Sequence, residues 1–493
     1  MRESLRLQDE SSCPSFARIR QLKGQLAVAF REEEVFWRQK SREKWLHDGD
    51  RNTEFFHASV NSTRVKNTLH SLVDDQGIDH FSEIEKGGVP VEFFTRLFTS
   101  SHPSKHSEFF DTFEPRVSTA MNTDLCRLIS EDEIRDAAFS INSDSAPGPD
   151  GLTGFFFKKY WDLIKHQVIH EIQGFFTSGI FPVDWNHTNL CLIPKIEAPN
   201  RMTDLRPISL CSVLYKIVSK ILVNRLKRHL PHIISPTQAA FVSERMISDN
   251  ILIAHEVVHS LNSHQEFSAS SMLLKTDMSK AYDRLEWTFL SSILRAMGFS
   301  SIWISWIMGC VTSVTYSVLI NGQPFGLIKP ERGIRQGDPL SPFLFVLSTE
   351  ALIHLFNQAQ EKGTISGIQY HSSGPAINHL LFADDSLFIC QASKPQCDAV
   401  LLCLEHYELM SGQQINKTKS AITFGSKVEE DIKDWIKMRT GIHLEGGTGK
   451  YLGLPECLSG SKQQLLGFIN ERLQSKLTGW YAKTLLKEER GFY

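Results

Sequence analysis

Apolar positions along this chain fall into stretches of two periods, one near 3.6 residues and one near 2, which predict helices and strands respectively. Ile19, Leu22, Leu26 and Phe30 recur at helical spacing and lead into charged Arg31 to Glu34 and aromatic Phe36-Trp37, so the chain should open with a helical arm. From Leu214 the helical period continues through Ile217, Val218 and Ile221, while Lys216, Lys220 and Lys227 fall within about 40° of one another on the other side. A helix with one apolar and one basic face is expected there, the basic face being either solvated or a phosphate track. Leu273-Leu274-Lys275-Thr276 reads as a short strand ending in Asp277, and Tyr282, Leu285, Phe289 and Ile293 then mark an amphipathic helix. Two apolar runs, His379 to Ala383 and Ser386 to Cys390, flank Asp384-Asp385, which predicts a hairpin with acids at its turn. Between them, the glycine-bounded polar turn Arg332 to Pro342 opens an apolar helix from Phe343 to Leu355, whose N-terminus should offer backbone N–H groups to a template or nucleotide.

Breakers divide these stretches. Ser100 to Ser107 is polar and reads as a surface loop. Ser145-Ala146-Pro147-Gly148-Pro149-Asp150-Gly151 is a rigid turn, either an anion-binding loop or a structural corner. The stretch from Phe36 to His57 mixes aromatic and basic residues, a composition that suits stacking on nucleic acid and equally suits docking on the main body.

Composition adds limits. A length of 493 residues calls for two to four subdomains, and 41% hydrophobic with 22% charged residues is ordinary for a folded chain. The net charge of -3 gives no global sign of a polyanion partner, yet from Trp185 to Leu230 eight Lys/Arg stand against two Asp/Glu. Nine scattered cysteines without a CxxC pair suggest a reducing, intracellular setting, nuclear or cytoplasmic. Neither a signal peptide nor an apolar run of membrane-spanning length is evident, so no membrane partner is expected.

The chemistry concentrates on three acids. Phosphoryl transfer to a hydroxyl needs charge neutralised at the attacking and leaving oxygens, and carboxylates holding two magnesium ions do this. An Asp-Asp pair in a turn says little alone, because aspartate is a common turn residue. Adjacent strand residues point to opposite faces, so Asp384 and Asp385 cannot both aim at one ion unless the turn rotates one of them.

Taken in order and at their spacing, these elements resemble the reverse-transcriptase motifs of non-LTR retroelements, in particular plant LINE-type elements. Leu192-Ile193-Pro194-Lys195 with Leu205-Arg206-Pro207-Ile208-Ser209-Leu210 is similar to the fingers motifs. Gln238-Ala239-Ala240-Phe241-Val242 with Arg245 and Asp249-Asn250 is similar to the insert before the palm. Asp277 with Lys280-Ala281-Tyr282-Asp283 resembles the first palm motif and Phe382 to Asp385 the third; Asn416 with Lys419-Ser420 matches the fourth, and Tyr451-Leu452-Gly453-Leu454-Pro455 the primer grip. The likeness spans Glu131 to Pro455.

The resemblance implies an α+β right-hand polymerase that extends a DNA primer or nicked target on an RNA template from deoxynucleoside triphosphates. It implies Asp277, Asp384 and Asp385 as ligands of two magnesium ions, manganese being the alternative, with Asp385 the weaker contributor. Lys195 and Arg206 would grip the triphosphate, Tyr282 would stack under the sugar, Gln336 would contact nucleotide and template, and Lys419 would act on pyrophosphate. Tyr451, Leu452 and Gly453 would hold the primer. The expected division is a helical arm (1–72), a connecting region (73–130), fingers (131–260), a palm with a small antiparallel sheet (261–460) and a truncated thumb start (461–493), with Trp480-Tyr481-Ala482-Lys483 resembling the beginning of the thumb. The chain reads as part of a longer polyprotein. It departs from the family at Ser145, where a basic residue is usual, and at Glu244, where glycine is usual. Two rival readings are an inactive retroelement-derived protein that retains RNA binding, and another two-metal palm enzyme such as a nucleotide cyclase. Oligomeric state has no signature in the sequence.

Overall fold

The structure, a computed structural model, describes residues 16–41 and 60–455, except 63, 66, 104–106, 183, 263–268, 372–373 and 448. The expected thumb start and residues 42–57 of the aromatic-basic stretch lie outside the described residues. The opening arm is a helix, Phe16–Ser41, and the residues it protects include Leu22, buried, with Ile19, Leu26 and Phe30 half-buried. Their spacing is the one that the apolar period requires.

Helices and two main sheets alternate without a regular βαβ repeat, an α+β arrangement. After a short pairing of β1 (Leu72–Val73) with β2 (Asp79–His80), the helix Glu83–Phe98 begins at a capping box, Ser82 and Glu85 each bonding the other's backbone N–H. Phe94, Leu97 and Phe98 on that helix pack on a four-stranded sheet made of β3 (His187–Pro194), β4 (Leu205–Leu210), β6 (Thr315–Ile320) and β7 (Gln323–Ile328). Its order is β4-β3-β6-β7, with β3 and β6 parallel and the other pairs antiparallel. Asn321 and Gly322, both at positive φ, close the β6–β7 hairpin, since a turn with two left-handed residues matches the twist of its flanking strands.

The second sheet carries the acids. It comprises β5 (Ser271–Thr276), β8 (His379–Phe382), β9 (Asp385–Gln391), β10 (Ala421–Phe424) and β11 (Leu444–Glu445), in the order β11-β10-β5-β9-β8, antiparallel except between β10 and β11. Both faces are covered, which is why β5 and β9 read as near-continuous apolar runs instead of alternating. Met272, Leu274, Phe388 and Cys390 join the main core with the helix Ser341–Glu361, while Leu273, Leu387 and Ile389 pack on the helix Ile247–Leu261.

Three expectations need correction. The helix predicted from Tyr282 to Ile293 is broken: Ala281–Arg284 and Trp287–Ala296 are separate helices, with Leu285 and Glu286 extended between them. Glu286 is buried there, taking hydrogen bonds from Arg332, Ser100 and Ser101. That tertiary pairing overrides the local period. The helix Val213–Lys227 is buried over most of its surface, so its lysines do not form one exposed face, although Lys220 is half-buried and Lys227, at its end, is exposed. Lys216 is buried with its ammonium toward the Ala146 carbonyl at 3.5 Å, and Lys227 lies over the Phe343 ring. Finally, the start of Ser341–Glu361 does not offer N–H groups to a ligand: Leu340 and Ser341 are buried, and the Asp338 carboxylate accepts from both the Leu340 N–H and the Ser341 hydroxyl.

Candidate active site

Strand register brings the three acids to one edge of the five-stranded sheet. Thr276, the last residue of β5, pairs with Ser386, so Asp277 leaves its strand beside the point where Asp385 enters β9. Phe382 pairs with Asp385 across a two-residue turn of Ala383 and Asp384, with Ala383 at φ +55°. The turn, not strand alternation, therefore sets the direction of Asp384. Asp385 belongs to the ladder and shares its face with Leu387, Ile389 and Tyr451.

The fields follow this geometry. Burial raises the Asp384 carboxyl above its ordinary range and the nearby Asp277 charge adds to it. Burial, then the charges of Asp384 and Asp277, push Asp385 up to about 6 against a partial pull from Lys275. Asp384 in turn faces Tyr282, whose hydroxyl is pushed up to about 12 by burial and by that charge. Three half-buried carboxylates that repel one another, all with hard oxygen donors, fit a divalent cation. Their side chains are not drawn into a ready-made cluster: among the described residues no group of three or more His, Cys, Asp and Glu is gathered for a metal.

Cations line one side. Asp277 is held through its backbone by the turn that follows the helix Lys394–Ser411: its N–H donates to the Ser420 hydroxyl at 3.2 Å, and its carbonyl accepts from the Asn416 N–H at 2.8 Å. The same turn sets the Lys419 ammonium 4.0 Å from Asp277 Oδ2. Lys195 lies at the end of β3 with its ammonium donating to the Thr203 carbonyl at 2.8 Å, and Arg206 lies on the paired β4, exposed. Burial lowers the Lys195 pKa, and the charges of Lys419 and Arg206 lower it further. The three cations thus share one field.

Tyr282 stacks on Phe345, ring centroids 5.3 Å apart and planes 9° apart. Gln336 is half-buried, its backbone carbonyl accepting from the Ser209 N–H at 2.8 Å and its amide 3.5 Å from Asp283 Oδ1. On the opposite side, β12 (Lys450–Tyr451) and β13 (Leu454–Pro455) form a hairpin closed by Leu452 and Gly453, both at positive φ. Tyr451 is buried under β9, and Lys275 of β5 donates to the Lys450 carbonyl.

A family model described as "Reverse transcriptase (RNA-dependent DNA polymerase)" matches residues 193–456, more than half of the chain. The chain belongs to the reverse transcriptase family. It is 28% identical over 384 residues to the Transposon TX1 uncharacterized 149 kDa protein of Xenopus laevis, which covers 78% of this chain and 29% of that protein. It is 30% identical over 225 residues to the Retrovirus-related Pol polyprotein from type-2 retrotransposable element R2DM of Drosophila melanogaster, 46% of this chain and 20% of the other. A short stretch of 68 residues, 14% of the chain, is 59% identical to an uncharacterized mitochondrial protein of Arabidopsis thaliana, of which it covers 56%. The chain spans less than two thirds of each of these relatives.

Several residues act behind the site, and the sequence pattern gives little sign of their roles. Arg335 is fully buried, its guanidinium 3.6 Å over the Tyr215 ring and 2.9 Å from the Cys310 carbonyl. Asp338 accepts from the hydroxyls of Tyr215 at 2.7 Å and Ser219 at 2.5 Å. These bonds anchor both flanks of the loop that presents Gln336. Asp283 is buried beside them, its Oδ2 without a hydrogen-bond partner among the described residues and its pKa pushed up to about 6, chiefly by burial. An Arg and an Asp three residues apart in a polar loop gave the only local sign of that scaffold.

Proposed function

We propose that this chain catalyses RNA-templated DNA synthesis, joining a primer 3′-oxygen to the α-phosphate of a deoxynucleoside triphosphate with release of pyrophosphate. The observation that carries the reading is the convergence of Asp277 with the Asp384-Asp385 hairpin at one sheet edge, with Lys419 beside Asp277 and with Lys195 sharing the field of Lys419 and Arg206. Asp277, Asp384 and Asp385 would hold two divalent cations, magnesium or in its place manganese. When bound, such cations lower the pKa of the 3′-hydroxyl and balance charge on the leaving pyrophosphate.

The other roles belong to the chain's own side chains. Lys195 and Arg206 bind the triphosphate, the planar guanidinium taking two phosphate oxygens at once. Lys419 stands where it can neutralise pyrophosphate or give it a proton. Tyr282, backed by Phe345, forms a wall beneath the sugar that leaves no room for a 2′-hydroxyl. Gln336 contacts the base pair, and the Leu452-Gly453 turn supports the primer. In this reading residues 131–260 are fingers, 261–460 a palm, 1–72 an arm and 461–493 the start of a thumb. The family membership and the transposon relatives support a non-LTR element, and the Arabidopsis match supports a plant one. The scattered cysteines, with no CxxC pair in the sequence, support an intracellular, reducing setting, nuclear or cytoplasmic.

Nucleotide dependence of primer extension tests the grip. Replacing Lys195 by Met or Arg206 by Gln should raise the apparent KM for deoxynucleotide about tenfold or more while the RNA–DNA duplex binds as before. An unchanged KM in both variants would reject the assignment.

A further inference from the structure

The segment before the acid-bearing hairpin, Thr237 to Ala240, lies alongside β8 as a single parallel bridge between Gln238 and Leu381. Its backbone bonds are Ala239 N–H to the Leu381 carbonyl at 3.1 Å and Leu381 N–H to the Thr237 carbonyl at 2.8 Å. Asn250, from the helix Ile247–Leu261, donates to the same Leu381 carbonyl at 2.9 Å. Arg245 fixes the segment from below, its guanidinium donating to the carbonyls of Ser235, Gln238 and Ile234. The residues that resemble the family's insert thus lie against the strand leading to Asp384.

Gln238 goes one step further than its neighbours. Its side chain is fully buried, and Oε1 accepts from two backbone N–H groups, that of Ala240 at 3.0 Å and that of Ala383 at 3.1 Å. Its Nε2 donates to the Thr349 hydroxyl at 3.1 Å, and that hydroxyl spends its own proton on the Val346 carbonyl at 2.8 Å. Thr349 can therefore only accept from Gln238, so the amide cannot turn over and its oxygen stays on Ala383. Ala383 is the turn residue at φ +55°, a conformation that a side chain disfavours, and its N–H points away from the two-strand ladder. Buried without this acceptor, that N–H would be unsatisfied, and the turn would move to find a partner.

We propose that Gln238 is a positioning residue for the metal-binding turn, its amide fixing Ala383 in the left-handed conformation that aims Asp384 and sets Asp385 at the start of β9. The proposal rests on the reading that these two acids hold divalent cations. A shorter amide at 238 does not reach Ala383. A carboxylate there loses the donor to Thr349 and adds charge beside Asp384, and methionine keeps the volume but offers no comparable acceptor. Partners behind the ligands commonly change metal affinity by about 10–100-fold when removed.

The test uses the full chain with Gln238→Met, Thr349→Val and Asp384→Asn, without nucleotide. Amide hydrogen exchange is followed over residues 380–391, and binding of manganese alone is followed by electron paramagnetic resonance. Gln238→Met should speed exchange at Ala383 to Asp385 at least tenfold, leave Leu387 to Cys390 as protected as in the parent, and weaken manganese binding about tenfold or more. Thr349→Val should move both readouts the same way by a smaller factor. Parent-like exchange at the turn in Gln238→Met overturns the proposal. So does faster exchange spread evenly over β9 with a fall in melting temperature, which is what a mere core filler would give. If Asp384→Asn binds manganese as well as the parent, the metal reading fails, while exchange at the turn still decides whether Gln238 holds it.

Discussion

The Lys419 ammonium stands 4.0 Å from Oδ2 of Asp277, on a turn whose backbone is hydrogen-bonded to that same aspartate. The lysine is exposed, so the pair adds little to stability in water. What the turn achieves is placement of a cation beside the acid edge. Replacing Lys419 by Ala should leave the melting temperature within about a degree of the parent and slow single-nucleotide incorporation about a hundredfold. Arginine at 419 should restore part of the rate. Rapid-quench kinetics on both variants check this, and parent-like rates for the Ala variant would remove Lys419 from the mechanism.

Tyr282 and Phe345 form a parallel pair beside Asp384. If the Tyr282 ring is the wall beneath the sugar, Tyr282→Val should raise the ratio of ribonucleotide to deoxynucleotide kcat/KM at least tenfold. Loss of the stacked pair should also cost about 0.5–1.5 kcal/mol of stability. Competition between the two nucleotide types on one template gives the ratio directly, and an unchanged ratio would leave Tyr282 as a packing residue only.

Glu244 stands at φ +70° immediately before Arg245. A side chain in the left-handed region costs about 1–2 kcal/mol, partly offset by the greater freedom that glycine has in the unfolded chain. Glu244→Gly should therefore stabilise the protein by about 0.5–1 kcal/mol in urea unfolding. A destabilised variant would mean that the Glu244 side chain makes a contact that outweighs the strain.

His379 is buried at the start of β8, Nε2 2.7 Å from the Thr237 hydroxyl, and burial lowers its pKa from 6.5 to about 4. Between those values the unfolded chain takes up a proton that the folded chain refuses. The contribution of His379 is thus fully present above about pH 6.5 and is lost as pH falls toward 4. From pH 7.5 to 5 the loss is on the order of 2 kcal/mol. The difference in unfolding free energy between parent and His379→Gln should shrink by that amount over this range, and a difference independent of pH would contradict the assignment.

The acid edge was legible in the sequence because its elements are local. Two apolar runs around Asp384-Asp385 read as a hairpin, and a short run ending in Asp277 reads as a strand. The β6–β7 hairpin is written as plainly in Asn321-Gly322, although pattern reading centred on the acids passes over it. What joins β6 to β3, more than 120 residues apart, leaves no local mark. The same holds for the break at Leu285-Glu286, the burial of Lys216 and the sealing of the helix start at Ser341 by Asp338. Each is decided by a partner distant in sequence or by packing, which the apolar period cannot register. Gln238 was legible as part of a motif but not as a support for Ala383, because that bond spans 145 residues.

The most direct measurement is extension of a DNA primer annealed to an RNA template, with magnesium and deoxynucleoside triphosphates, by the full chain and by Asp384→Asn. Extension by the parent and none by the variant is the expected result, with both proteins binding the duplex equally. Extension by both proteins, or by neither, would contradict the claim that Asp277, Asp384 and Asp385 form a working polymerase centre in this chain.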